Sequence, residues 1–166
     1  MMIKLLKRLL KDLSVSLVGI LLVILCLLIV AGFVLFGFAR MPGKTHAVVS
    51  SLGKYTDKTF YTCGGFQDFT DYAKYSFQSV DSKKLEDNAY FQPVSTGNMD
   101  TLLAFILDFE GWIGVHEGSE LAANYDFQRD HIDPEDYFFL QGDLDSYNLY
   151  FLDSQTNMLY YFHNNI

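Results

Sequence analysis

The residues whose types could do chemistry gather late in the chain: Asp130, His131, Asp133, Glu135 and Asp136, followed by Asp143 and Asp145. Clustered carboxylates suit a hard divalent cation such as calcium, which takes a shell of oxygen ligands. The spacing does not follow the Asp-x-Asp-x-Asp-Gly loop that wraps calcium between two helices, and Pro134 among the acids reads as a solvated turn. The four histidines, His46, His116, His131 and His163, are scattered. They lack the His-Glu-x-x-His or Cys/His spacing that brings two ligands to one metal. No Gly-x-Ser-x-Gly or phosphate-cradling glycine loop occurs. Acids are so frequent that no two stand out as a general acid and base. The sequence therefore assigns no catalytic residue, no cofactor and no metal ligand, and the expectation is a protein that is not an enzyme.

Two further features bear on binding. Tyr147-Asn148-Leu149-Tyr150-Phe151 and Leu159-Tyr160-Tyr161-Phe162 are aromatic runs of the kind that stack on sugars or anchor a protein partner. Choline-binding hairpins of that kind recur about every 20 residues with a Gly-Trp pair, whereas here there is one copy and no Gly-Trp within it. The runs read as core-forming strands. Of the two cysteines, Cys26 lies inside a long apolar run and Cys63 outside it, so no disulfide framework is expected.

The elements that must position these residues fall into two unlike parts. Residues 13–39 hold no charged side chain, and their only polar groups are Ser14, Ser16 and Cys26. As a helix this run is roughly 40 Å long at ~1.5 Å per residue, against a hydrocarbon core of ~30 Å. A helix satisfies each of its backbone amides locally, as lipid requires. The sequence predicts a single-pass transmembrane helix over 13–39. Its length exceeds a signal-peptide apolar region, so it reads as an uncleaved signal-anchor. Gly32 and Gly37 are five apart, which is not the small-xxx-small spacing of a helix dimer.

Residues 1–12 place Lys4, Lys7, Arg8 and Lys11 on one helical face and Leu5, Leu6, Leu9 and Leu10 on the other. This basic amphipathic segment next to the span puts the N-terminus in the cytoplasm and the C-terminal part outside the cell membrane. Charge divides accordingly. Through Lys44 there are six basic residues and one acid; beyond it there are six basic residues and nineteen acids. A domain so acidic repels phosphate backbones and anionic lipid head groups, which excludes nucleic acid as a partner.

Pro42-Gly43 ends the span. Residues 40–63 are weakly patterned and read as a linker or stalk, with the extracytoplasmic domain over 64–166. Alternation over 73–79 predicts a half-buried strand, in competition with the helical spacing of Phe66, Phe69 and Tyr72. Residues 81–88 read as a loop. Leu102, Leu103, Ile106, Phe109 and Ile113 form an apolar stripe that predicts an amphipathic helix from Met99 to about Ile113, with Asn98 as N-cap. Three aromatic runs at 137–141, 147–152 and 158–163, separated by turn-forming residues, predict an antiparallel meander. The fold class is α+β: one transmembrane helix, then a small domain with one amphipathic helix on a three- to four-stranded antiparallel sheet.

Three segments, Gly64-Gly65-Phe66-Gln67-Asp68-Phe69-Thr70-Asp71-Tyr72, Asp108-Phe109-Glu110-Gly111-Trp112 and Leu159-Tyr160-Tyr161-Phe162-His163-Asn164-Asn165-Ile166, together resemble small uncharacterised membrane-anchored proteins of Gram-positive bacteria. The resemblance implies the topology and no activity. The expected function is a non-enzymatic membrane-anchored domain that binds a protein or envelope component outside the cell. The alternative is a structural subunit of a membrane or pilus-like assembly, although no acid lies within 13–39 where a pilin carries a glutamate.

Overall fold

A computed structural model describes residues 43–65 and 68–165, so the expectations for the basic segment 1–12 and the span 13–39 fall outside it. Among the described residues no helix is long and apolar enough to cross a membrane.

The compact unit Ala47–Ile166 is α+β, built on a six-stranded antiparallel sheet rather than three or four strands. In chain order the elements are helix α1 (Gly43–Ser51), strands β1 (Tyr55–Gly64) and β2 (Phe69–Phe77), helix α2 (Ser82–Glu86), strand β3 (Gln92–Pro93), helices α3 (Met99–Val115) and α4 (Glu120–Asn124), a 3-10 turn (Arg129–His131), and strands β4 (Tyr137–Asp143), β5 (Ser146–Asp153) and β6 (Met158–Asn165). The strands lie side by side in the order β1-β2-β6-β5-β4-β3. The meander is present, and its last strand pairs with β2 along Phe69–Ser76. That pairing ties the β1–β2 hairpin to the C-terminal half.

Three extra elements come from stretches expected to be irregular: α1 and nearly all of β1 from the expected stalk 40–63, and α2 from the expected loop 81–88. Tyr55–Gly64, within the expected stalk, is a full strand; it is an edge strand with one neighbour and little burial, so its sequence needs no apolar alternation. Residues 81–88 also differ from the loop expectation: Asp81 caps a five-residue helix by accepting from the Lys83 amide at 3.1 Å. In the 66–77 region the strand prevails over the helical spacing, because Ala73, Tyr75 and Phe77 are buried on one face of β2 and Tyr72 on the other.

Both faces of the sheet are covered by helices. On one side Leu102, Phe105, Ile106 and Phe109 of α3 and Leu121 of α4 pack on Tyr72, Phe138, Tyr147, Leu149, Phe151 and Phe162. Phe162 sits among the rings of Tyr72, Phe109 and Phe127, with centroids 5.7, 5.2 and 5.2 Å away. On the other side Val48 and Val49 of α1, Leu52, Leu85 of α2 and Phe91 cover Ala73, Tyr75, Phe77, Tyr150, Leu152, Leu159 and Tyr161. This explains why both alternating sets of β5 are apolar: each set has its own helical layer.

Candidate functional site

The acidic cluster is divided by the fold. Asp133, Glu135 and Asp136 precede β4 and lie beside the β5–β6 turn, where the Asp136 carboxylate accepts from the amides of Asp133 (2.9 Å) and Ser154 (2.9 Å). Asp143 and Asp145 lie at the opposite end of β4, in the β4–β5 turn, where Asp143 accepts from the Asp145 and Ser146 amides. These are turn-forming bonds. Among the described residues, no three His, Cys, Asp or Glu side chains converge as metal ligands would. Burial pushes the Asp136 carboxyl up; its two amide donors oppose this, and the nearby charges of Asp133 and Asp153 add to it.

The histidines occupy separate elements. His116 closes α3 with Nδ1 at 3.0 Å from the Trp112 carbonyl. His131 is exposed in the 3-10 turn. His163 on β6 donates from Nδ1 to the Tyr147 carbonyl at 2.6 Å and stacks on Tyr161. Cys63 is a half-buried free thiol packed against the α3-side core. The aromatic runs 147–151 and 159–162 are core strands: Tyr147, Leu149, Tyr150 and Phe151, then Leu159, Tyr161 and Phe162, are all buried.

A feature that sequence reading missed is a set of tyrosine–carboxylate pairs at the seam between α3–α4 and the sheet. Tyr72 donates to Asp126 at 2.9 Å, Tyr125 to Glu110 at 3.0 Å, and the Tyr147 hydroxyl lies 3.0 Å from Asp108. Each pair lets a large ring be buried while its hydroxyl stays bonded. Burial, reinforced by the facing carboxylate, pushes all three phenols well above the usual tyrosine range. Burial works against Asp126, but bonds from Lys74 and Tyr72 prevail and hold its carboxyl low. The pairs join residues far apart in sequence, so no local pattern discloses them. They are seam chemistry: a neutral phenol held against a carboxylate that is already occupied does not offer a base or a nucleophile.

What remains for function is the outer surface, and its two sides differ. The outward face of α3 carries Asp100, Thr101, Ala104, Leu107, Gly111, Gly114 and Val115, one acid among small and apolar side chains. Leu107 is 49% exposed and Val115 75%. From Asn98 to His131 the α3–α4 layer holds seven acids, Asp100 included, and one basic residue, Arg129, which is paired with Glu110. On the α1–α2 side an open depression of about 490 Å³ is lined by Ser51, Lys83, Lys84, Asp87, Asn88 and Tyr90, among others. Its floor is fixed by Asn88 donating to the Ser51 hydroxyl at 3.0 Å, and by Ser51 donating to the Val48 carbonyl at 2.7 Å.

In comparison with known proteins, no family model, no curated protein and no solved structure matches this chain.

Proposed function

We propose that the chain is a single-pass membrane protein, N-terminus in the cytoplasm, that holds a non-enzymatic acidic α+β domain outside the cell to bind a protein or envelope component. The observation that carries this reading is the uncharged run of residues 13–39 between a basic foot and an acidic domain. The resemblance to small membrane-anchored proteins of Gram-positive bacteria agrees with it. Recognition centres on the outward face of α3, where Leu107 and Val115 stand exposed among small residues with Asp100 as the one acid. Isolated exposed aliphatics are ordinary, but a helical face with a single acid, Asp100, in an otherwise acidic layer fits a partner with an apolar ridge flanked by basic side chains.

Protease added to intact cells tests the topology. The expected outcome is loss of the domain and survival of an anchored N-terminal fragment; a domain that resists until the membrane is opened overturns it. Cross-linking through the α3 face, with Leu107→Asp as control, then tests recognition. A foreign partner lost in the variant supports this reading, whereas a homomeric ladder supports a subunit of an assembly.

A further inference from the structure

Among the described residues the edge strand β1 pairs with β2 alone. Gly65 donates to the Asp68 carbonyl at 2.8 Å across the β1–β2 turn, and Phe77 donates to the Asn157 carbonyl at 3.0 Å in line with the β2–β6 ladder. Bonds alternate from residue to residue along antiparallel strands. Thr59, Tyr61 and Cys63 therefore bond to β2, while Lys58, Phe60 and Thr62 turn their amides and carbonyls to the outer edge. Such a row is a template for another strand.

Native edges are commonly guarded by a bulge, a lysine or a proline. The bulge of β1 lies between Tyr55 and Asp57, and Gly64 leaves the extended geometry at φ +108. The regular run between them is 57–63, and its midpoint is Phe60, 49% exposed and the most exposed aromatic side chain among the described residues. Lys58 does not guard it. Its ammonium is drawn back over its own sheet, above the rings of Phe60 and of Tyr75 on β2, 5.4 and 5.2 Å from their centroids.

We infer that β1 pairs antiparallel with β1 of a second copy of this chain, about a two-fold axis at Phe60, joining two sheets into one. In this register Phe60 meets the partner's Phe60, Lys58 lies opposite the partner's Thr62, and Asp57 opposite the partner's Cys63. No like charges face each other, and each pair of outward residues exchanges two backbone bonds. An axis at Asp57 or Lys58 sets a charge against its own copy, and any other axis shortens the regular overlap. The domain is acidic, yet the seam is complementary. Asp71 stands beside Thr62 on β2, so the partner's Lys58 lies two strand spacings away, ~10 Å, on the same face of the sheet. Across 54–64 there are two lysines and one acid.

Strands alternate in direction, so β1 and β4 run the same way. Head-to-tail growth of the sheet needs a parallel pairing past β3, whose Pro93 has no amide to donate. The two-fold pairing instead consumes β1 of both copies and closes as a dimer. Its axis is normal to the sheet, so the two α3 faces lie on one side and meet a partner together. The pairing does not depend on the membrane-anchored reading.

The test follows the full chain in mild detergent, where sedimentation is expected to show a monomer–dimer equilibrium. Thr62→Pro removes an outward amide without taking a bond from β2. It is expected to weaken the dimer about ten-fold or more, the worth of one hydrogen bond, whereas Thr62→Ala keeps the amide and stays within about two-fold. In a chain carrying Cys26→Ser and Cys63→Ser, Phe60→Cys is expected to form a dimeric disulfide on mild oxidation, because the facing Cα atoms are ~5.5 Å apart. Lys58→Cys, offset along the strands by ~13 Å, is expected to form none. Circular dichroism checks that the Thr62→Pro chain is folded, and the cross-linking pair decides the matter if it is not. A monomer at every concentration overturns the dimer and leaves the edge to a foreign strand. A dimer that is indifferent to Thr62→Pro, or that cross-links as readily in the Lys58→Cys chain as in the Phe60→Cys chain, overturns the β1 pairing and assigns the association to another part of the chain.

Discussion

Asp136 is 1% exposed, yet its carboxylate is the acceptor that joins the segment before β4 to the β5–β6 turn. Truncation by Asp136→Ala leaves the amides of Asp133 and Ser154 without that acceptor in a site from which water is largely excluded. An abandoned buried donor costs about 1–3 kcal/mol, so the variant is expected to lose roughly 2–4 kcal/mol. Chemical denaturation of the chain in mild detergent checks this; a loss below about 0.5 kcal/mol would show that water replaces the carboxylate without cost. The residue was legible as a turn-forming acid from Pro134 and its acidic neighbours. Its burial was not, because the covering groups, Asp153 and Ser154, arrive from a turn eighteen residues away. The same distance hides the seam: Tyr72 meets Asp126 and Tyr147 meets Asp108 only once β2 and β5 lie under α3 and α4.

At the scale of elements, the legible parts were those that bury one face or alternate. The α3 stripe predicted a helix ending near Ile113, and the helix runs to Val115; the three aromatic runs predicted β4, β5 and β6 within two or three residues. Asn98 precedes α3 as expected, but its side chain accepts from the Ser95 amide instead of capping the helix. Elements held by others were illegible. β1 owes its conformation to pairing with β2, and α2 is a single capped turn. Two glycines test how local geometry sets the elements. Gly142 takes φ +107 where β4 turns toward β5, and a Cβ there would lie 2.1 Å from the Ser146 carbonyl oxygen. Gly142→Ala must therefore move backbone, at an expected cost of roughly 2–4 kcal/mol. Gly111 is helical, and an alanine methyl there would meet nothing within 4 Å, so Gly111→Ala is expected to stabilise α3 by about 0.5–1 kcal/mol. Denaturant midpoints of the two variants should move in opposite directions, and a shift of the same sign in both would refute this account of the β4–β5 turn.

For the molecule as a whole, the same tyrosine seam that closes the core sets a limit in alkali. The phenols of Tyr72, Tyr125 and Tyr147 are pushed far up, and burial raises Tyr75 to about 12. A phenol raised in the folded state gives its full stability below the unfolded value of ~10, and that stability falls as pH rises toward the folded value. Each such tyrosine removes about 1.4 kcal/mol per pH unit above that point, and four acting together exceed the net stability of an ordinary domain within two units or so. The acid limb is gentler. Asp126, held low by Lys74 and Tyr72, gives stability that is lost as pH falls through its folded value. Asp136, pushed up, contributes with the opposite sign, its share being greatest in acid and declining as pH rises. The expected profile is therefore a broad plateau from weakly acidic to neutral pH with a steep, cooperative loss above about pH 10. Tyrosinate absorbance during an alkaline titration should rise together with loss of near-ultraviolet circular dichroism. Tyr72→Phe removes an ionisable phenol at a site where the ring packing is kept, so it should displace the transition to higher pH. Phenols that ionise one by one while the dichroism holds would mean that the seam opens locally and the two helical layers do not depend on it.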